Sequence, residues 1–382
     1  MSKSLLLLVL LTTAIFAEFE YRVDNSNFTI SQGSIESNVD KTYVYNYNRL
    51  RFRGDYTEGK YFVTFIGDGV NYFGHDYVSS NDFDYVKEIK SDTPFSTQTN
   101  YNDYYEGSVY AKLYRLYGGY EDNKNRAVVG LQKMSMGVGR IWTPTNLFNP
   151  KNIYALEPDE TFGVVALSYT RHLSDTSHLS AVASQNADYS FKYGARYKAF
   201  LDFADFAIDV VSSDDTKMLG LELEGNLSDT GVEVRSEGAY IKNTLKTSAG
   251  LDEKEFFQGI VGADYGFVNG LSVIGEALYS SKKFTRAEVL LNKDSEILSS
   301  LVSSNFYTAI SATYTFNIFL DGGVVYIESF NDKNSRFISP TLTYTMNDYS
   351  SFVVGAMIQD GSSASEFGDY ENTYYFKYAL SF

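Results

Sequence analysis

From about residue 40 to the C-terminus the chain alternates apolar and polar side chains with period two. The stretches run to about ten residues and are broken by Gly, Asn, Asp and Ser. In the last stretch Tyr374, Phe376, Tyr378, Leu380 and Phe382 share one face, and Tyr375, Lys377, Ala379 and Ser381 share the other. Residues 189–199 set Tyr189, Phe191, Tyr193 and Tyr197 against Ser190, Lys192, Arg196 and Lys198. The pattern recurs with Phe206, Ile208 and Val210 against Asp205 and Asp209, and with Leu219, Leu221 and Leu223 against Glu222 and Glu224. It recurs again with Val232 and Val234 against Glu233, Arg235 and Glu237, and near the front with Leu50 and Phe52 against Arg49, Arg51 and Arg53. One face suits an apolar medium and the other suits water.

These segments mark about seventeen strands between 43–56 and 372–382. Counted back from the C-terminus, their connections alternate long (360–371, 281–304, 242–255) and short (347–349, 268–270, 228–230). Carried to the front, this rule makes 57–59 a short turn and requires one more strand, within 19–31, where Phe19, Tyr21 and Val23 alternate. The expectation is an all-β fold, a closed antiparallel transmembrane β-barrel of 18 strands. Sixteen is the alternative if a short segment such as 178–186 merges with its neighbour. A soluble sandwich also alternates, so the period alone does not decide. The number of segments, their aromatic ends and the terminal Phe382 favour a barrel, which a hydrocarbon core requires to close.

Composition agrees. Aromatic residues make up 16% of the 382, with 33 Tyr, 28 Phe, one Trp and only five Pro, a profile that favours strands. With no cysteine there is no disulfide, thiolate metal site or lipidated cysteine. A net charge of −16 repels nucleic acid. Residues 1–17 read as a cleaved signal peptide, with Lys3, an apolar run Leu5 to Leu11 and Ala17 at the cleavage site. That run is too short to span a membrane. The domains are then 1–17, signal peptide, and 18–382, barrel, and the address is the bacterial outer membrane.

Together these features resemble the porins of Gram-negative bacteria, in which a terminal aromatic, here Phe382, belongs to the signal read by the barrel assembly machinery. The stretch from Gly137 to Pro150, with Gly139, Arg140, Trp142 and Pro144, is similar to one found in porin-like outer-membrane proteins. The resemblance implies passive diffusion of small hydrophilic solutes or ions through a water-filled lumen, set in outer-membrane lipid and lipopolysaccharide. It also implies a homotrimer, for which no sequence feature speaks. By the strand count, residues 138–161 form the third outer loop, which in porins folds into the lumen. Arg140, Trp142, Lys151, Glu157, Asp159 and Glu160 are the expected constriction, stiffened by Pro144, Pro150 and Pro158; a rigid loop on the rim is the alternative.

Lumen-lining charges are expected from Arg49, Arg51, Arg53, Lys192, Arg196, Lys198 and Arg235, and from Asp205, Asp209, Glu222, Glu224, Glu233 and Glu237. The net charge leans toward cations. Thr285 and Glu288 have capping-box spacing and predict a short helix in 281–304. No cofactor or metal is implied: His172 and His178 flank the turn at Asp175 with Ser177 near, but no Gly-x-Ser-x-Gly or His-Glu-x-x-His motif exists. The acidic run Asn81 to Asp84 lacks the spacing of a calcium loop. The reading is therefore a channel and not an enzyme. Its rival is a non-conducting adhesin or structural barrel that uses the long loop 68–102.

Overall fold

The computed structural model describes residues 17–35, 40–330, 334–363, 365–368 and 370–382. Of the expected signal peptide only Ala17 falls among them, as the first residue of a strand. The strands are β1 (Ala17–Gly33), β2 (Thr42–Glu58), β3 (Tyr61–Phe73), β4 (Asn102–Tyr104), β5 (Gly107–Glu121), β6 (Asn125–Gln132), β7 (Val164–Ser174), β8 (Ser177–Gln185), β9 (Phe191–Leu201) and β10 (Ala204–Ser212). They continue as β11 (Thr216–Asn226), β12 (Glu233–Thr247), β13 (Gly250–Gly266), β14 (Leu271–Ser280), β15 (Phe306–Asn317), β16 (Leu320–Ser329), β17 (Ser335–Asn347), β18 (Ser350–Gly361) and β19 (Thr373–Ser381).

Each strand pairs antiparallel with the next, except that β4 is a short side branch on β5 while β3 passes directly to β5. β1 closes the ring on β19, from Asp24 opposite Ser381 to Gln32 opposite Thr373. The wall is thus a closed antiparallel barrel of 18 strands, the number expected. The seam extends to the last residue: Phe382 donates its N–H to the Val23 carbonyl (2.9 Å) and accepts the Val23 N–H (3.0 Å). Closure leaves no open edge.

The alternation sorts inside from outside as expected. Phe191, Tyr193, Ile208, Val210, Leu219, Leu221 and Leu223 are exposed on the outer wall, whereas Lys192, Asp209, Glu222, Arg235 and Glu237 are buried inside. At one end every turn has six residues or fewer; at the other lie the long connections 74–106, 133–163 and 281–305. Helices α1 (His75–Val78) and α2 (Asn81–Glu88) fold in the first of these, and α3 (Arg286–Leu291) in the last. Helix α3 begins at the expected capping box of Thr285 and Glu288.

Three boundaries differ from expectation. Residues 242–255 are no long loop: β12 and β13 continue to a tight turn after Thr247, because cross-strand pairs such as Lys242 with Glu253 (2.7 Å) hold polar strands together beyond the apolar belt. The sequence pattern reads a strand over 126–137, but β6 ends at Gln132, beyond which Met134 donates its N–H to the Asn149 side chain of the following connection (2.5 Å) and not to the ladder. Tyr189 sits at φ 67° in the turn before β9 and is not part of that strand.

Candidate functional site

The connection 133–163 touches the wall on every side, which only an element inside the ring can do. It starts with a run of backbone N–H groups aimed at carboxylates of β11, β12 and β14. Gly137 donates to Glu222 (2.8 Å), and Val138 and Gly139 donate to Glu237 (2.8 and 3.1 Å). Arg140, Ile141 and Trp142 donate to Glu276 (3.0, 3.2 and 2.7 Å). Thr145 then gives Glu237 both its N–H (2.7 Å) and its hydroxyl (2.8 Å). A buried carboxylate needs such donors, and a loop that leaves the wall needs acceptors; each satisfies the other.

Two glycines make the turn. Gly137 holds φ +90°, and at Gly139 a Cβ would stand 1.7 Å from the Trp142 carbonyl oxygen, so the backbone could not fold back over this position with any side chain present.

The next part leans on other strands. Leu147 accepts a hydrogen bond from Lys192 of β9 (3.0 Å), Trp142 packs on Tyr307 of β15 with ring centroids 5.9 Å apart, and Tyr154 packs edge-on against Phe337 of β17 (5.2 Å). The far end meets basic residues of β2, β5 and β19. Glu157 pairs with Arg49 (2.8 Å) and Lys377 (2.9 Å), Glu160 with Arg51 (2.8 Å), and the Thr161 carbonyl accepts from Arg115 (2.8 Å). Arg51 also holds Asp68 of β3 (2.7 Å). Burial opposes ionisation of Glu160, but hydrogen bonding from Arg51 and the charge of Arg49 overcome it and pull its carboxyl down to about 2.

The expected site residues therefore divide. Arg140 does not face Glu157, Asp159 and Glu160 of its own loop. Its guanidinium reaches the wall acids Glu224 (2.9 Å), Glu233 and Asp264 (3.5 Å), because the amide run pins its backbone on that side. Lys151 pairs within the loop with Asp159 (3.1 Å), whose side chain is 82% exposed. Of the lumen-lining set, Lys192, Asp209, Glu222, Arg235 and Glu237 point inward but lie under the loops, not against open lumen. Lys192 meets Glu296 of 281–305 (3.0 Å), and Arg196 meets Glu222. Lys198 pairs with Asp205 (2.8 Å) and Arg53 with Asp55, nearer the short-turn end.

Glu276, Asp68, Asp264 and Lys377 were not among the expected residues. Glu276 was legible in principle, as the single charge in a strand whose neighbours Val273, Gly275, Ala277 and Tyr279 alternate outward. The His172 and His178 rings lie 5.8 Å apart, and the Ser177 hydroxyl pairs with that of Ser174 (2.7 Å). Asp82 of the acidic run accepts from Ser34 (3.1 Å) and the Ile35 N–H (3.0 Å), a clasp between two loops.

The fold recurs among solved structures. Acinetobacter baumannii OccAB1 matches with a TM-score of 0.63 at 12% identity, over 96% of each chain. The Pseudomonas aeruginosa outer membrane protein OpdK matches at 0.59 and 9%, over 96% of this chain and 98% of that one. OpdK with vanillate matches at 0.57 and 9%, over 95% and 98%. No family model and no curated protein sequence matches the chain. The chain has the fold of Gram-negative outer-membrane porins.

Proposed function

We propose that this chain is an outer-membrane channel for passive diffusion of small hydrophilic solutes or ions, with residues 133–163 setting the constriction. The observation that carries this reading is the double clasp of that loop inside the ring. Its amides hold Glu222, Glu237 and Glu276 on one side, and Glu157 and Glu160 hold Arg49, Arg51 and Lys377 on the other. Acidic groups gather on β11 to β14 and basic ones on β2, β5 and β19, so a solute beside the loop would cross a transverse field. The vanillate in the OpdK structure supports small organic solutes as cargo.

In this reading the outer wall faces lipid, with lipopolysaccharide on the long-loop side, and the short turns face the periplasm. Residues 1–17 direct export, and the assembly machinery reads the strand ending at Phe382. The account includes no catalytic step. Planar-bilayer recording tests it: discrete conductance steps are expected from the folded protein.

A non-conducting adhesin or structural barrel is the second reading. The packing of loops 74–106, 133–163 and 281–305 into buried apolar clusters favours it, for example Phe284, Ile297 and Leu301 with Leu147 and Phe148. A folded protein that passes no current in any salt would support it.

A further inference from the structure

Strands β7 and β8 form a hairpin at the short-turn end of the barrel, and its register sets His172 directly opposite His178. The His172 N–H bonds to the Lys124 carbonyl on the β6 side (2.8 Å), so its backbone polar groups point away from β8. The two histidines therefore form a non-hydrogen-bonded pair, the kind in which the Cα atoms approach to about 4.5 Å and the side chains stand closest. Leu167, Tyr169, Leu173 and Leu179 are exposed on the outer wall, so the alternation turns His172 and His178 to the lumen side.

The ring centroids are 5.8 Å apart. Two imidazoles that share one zinc ion, each through a Zn–N bond of about 2.0 Å, have ring centres roughly 5 to 6 Å apart. Hydroxyl pairs hold the hairpin on both sides of the histidines, Thr170 with Ser180 (2.9 Å) towards the middle of the wall and Ser174 with Ser177 (2.7 Å) at the turn. Among the described residues neither ring makes a hydrogen bond, so each keeps a nitrogen available to a ligand. The cations beside the pair are already engaged. Lys198, opposite His178 on β9, pairs with Asp205 (2.8 Å), and Arg196 pairs with Glu222 and stands 3.7 Å from Asp209. The third histidine of the chain, His75, lies in the long connection 74–106, with its Nδ1 against the Tyr105 carbonyl (2.6 Å).

We propose that His172 and His178 together hold one divalent cation of the zinc, copper or nickel class on the lumen side of the short-turn mouth. Imidazole nitrogen suits these metals, whereas magnesium and calcium demand oxygen ligands. Zinc takes four ligands in tetrahedral geometry, so two positions remain for water. No metal motif is visible along the chain because the two ligands belong to different strands, and only the register of β7 on β8 makes them a pair. The site does not depend on conduction. A folded barrel that binds zinc here and passes no current would refute the channel reading alone, and a conducting one that binds none would refute this proposal alone.

The experiment titrates zinc chloride into the folded chain, prepared without a histidine tag, and follows binding by calorimetry. Folding of each variant is checked by heat-modifiable migration. Wild type and H75N are expected to bind one zinc ion per chain more tightly than the acidic surface does, and H172N and H178N to bind it roughly tenfold or more weakly, since loss of even a supporting partner costs a metal site that much. A second arm uses wild type alone and so holds even if a variant does not fold. Histidines are modified with diethyl pyrocarbonate and located by peptide mass spectrometry. Zinc is expected to protect His172 and His178 together and to leave His75 reactive, and magnesium to protect none of them. Equal zinc affinity in wild type, H172N and H178N, protection of neither or only one of the pair, equal protection of all three histidines, or equal protection by magnesium would overturn the proposal.

Discussion

Thr145 donates both its backbone N–H, at 2.7 Å, and its hydroxyl, at 2.8 Å, to the carboxylate of Glu237, and so ties the middle of the inner loop to strand β12. With the Val138 and Gly139 amides, the same carboxylate satisfies four donors. Replacing Glu237 by Ala would leave them without an acceptor, at about 1 to 3 kcal/mol for each donor that water does not reach. The E237A variant is expected to keep its barrel, because the wall ladders do not depend on this side chain, while the loop detaches. Single-channel recording should show larger and noisier conductance steps than wild type. Unchanged steps from a folded variant would contradict the loop's role.

Arg140 stands among Glu224, Glu233 and Asp264 with its side chain 40% exposed. Replacing it by Ala removes the positive charge and leaves three carboxylates at the lumen surface. The cation-to-anion permeability ratio should rise by roughly fivefold at low salt, since a unit charge at about 4 Å in water is worth about 1 kcal/mol. The rise should shrink as salt screens the group. Reversal potentials in a KCl gradient measure it. Replacing Asp159 by Asn, which leaves Lys151 without its 3.1 Å partner, should move the ratio the other way.

The strand pattern was legible because a barrel wall has one wet side and one apolar side, so the period persists through each strand. Even the first strand followed from the parity of the turns. The partners of Arg140 were not legible. They lie on three strands far along the chain, and no local spacing links an arginine in a loop to Glu224, Glu233 and Asp264. The polar hairpin around Thr247 was read as a loop for a related reason: beyond the apolar belt a strand is held by cross-strand ion pairs, and its composition matches that of a loop.

Acid should loosen the other end of the loop. The Glu160 carboxyl is depressed from 4.5 to about 2, so its contribution is fully present above the unfolded value and is lost as pH falls through the folded one. Conductance is expected to be steady from neutral pH down to about 4.5 and to grow unstable as pH approaches 2. The E160Q variant, uncharged at every pH, should show no such acid transition from this group, which recordings across the range would reveal.

At Gly139 a Cβ would meet the Trp142 carbonyl oxygen at 1.7 Å. The G139V variant is expected to form a barrel with normal heat-modifiable migration while losing the amide contacts to Glu237 and Glu276. Trp142 is the chain's single tryptophan, so its fluorescence reports directly on whether it has left the Tyr307 ring for water. A red-shifted spectrum is expected, and a spectrum identical to wild type would count against the glycine requirement.

Phe382 closes the seam with Val23 and stacks on Tyr349, with ring centroids 6.1 Å apart. Deleting residues 373–382 removes β19 and exposes the edges of both β1 and β18. Such a chain should fail to assemble in the membrane. A normal heat-modifiable band from the deletion would contradict the closed-barrel account.

The central claim, that residues 133–163 border the path taken by ions, has a direct test because the chain contains no cysteine. Asp159, exposed on that loop, is replaced by Cys, and a bulky, water-soluble thiol reagent is added during single-channel recording. The account predicts a lasting, stepwise fall in current as each channel is modified, with no response from wild type or from L221C on the outer wall. Modification of D159C, verified by mass, with no change in current would contradict it.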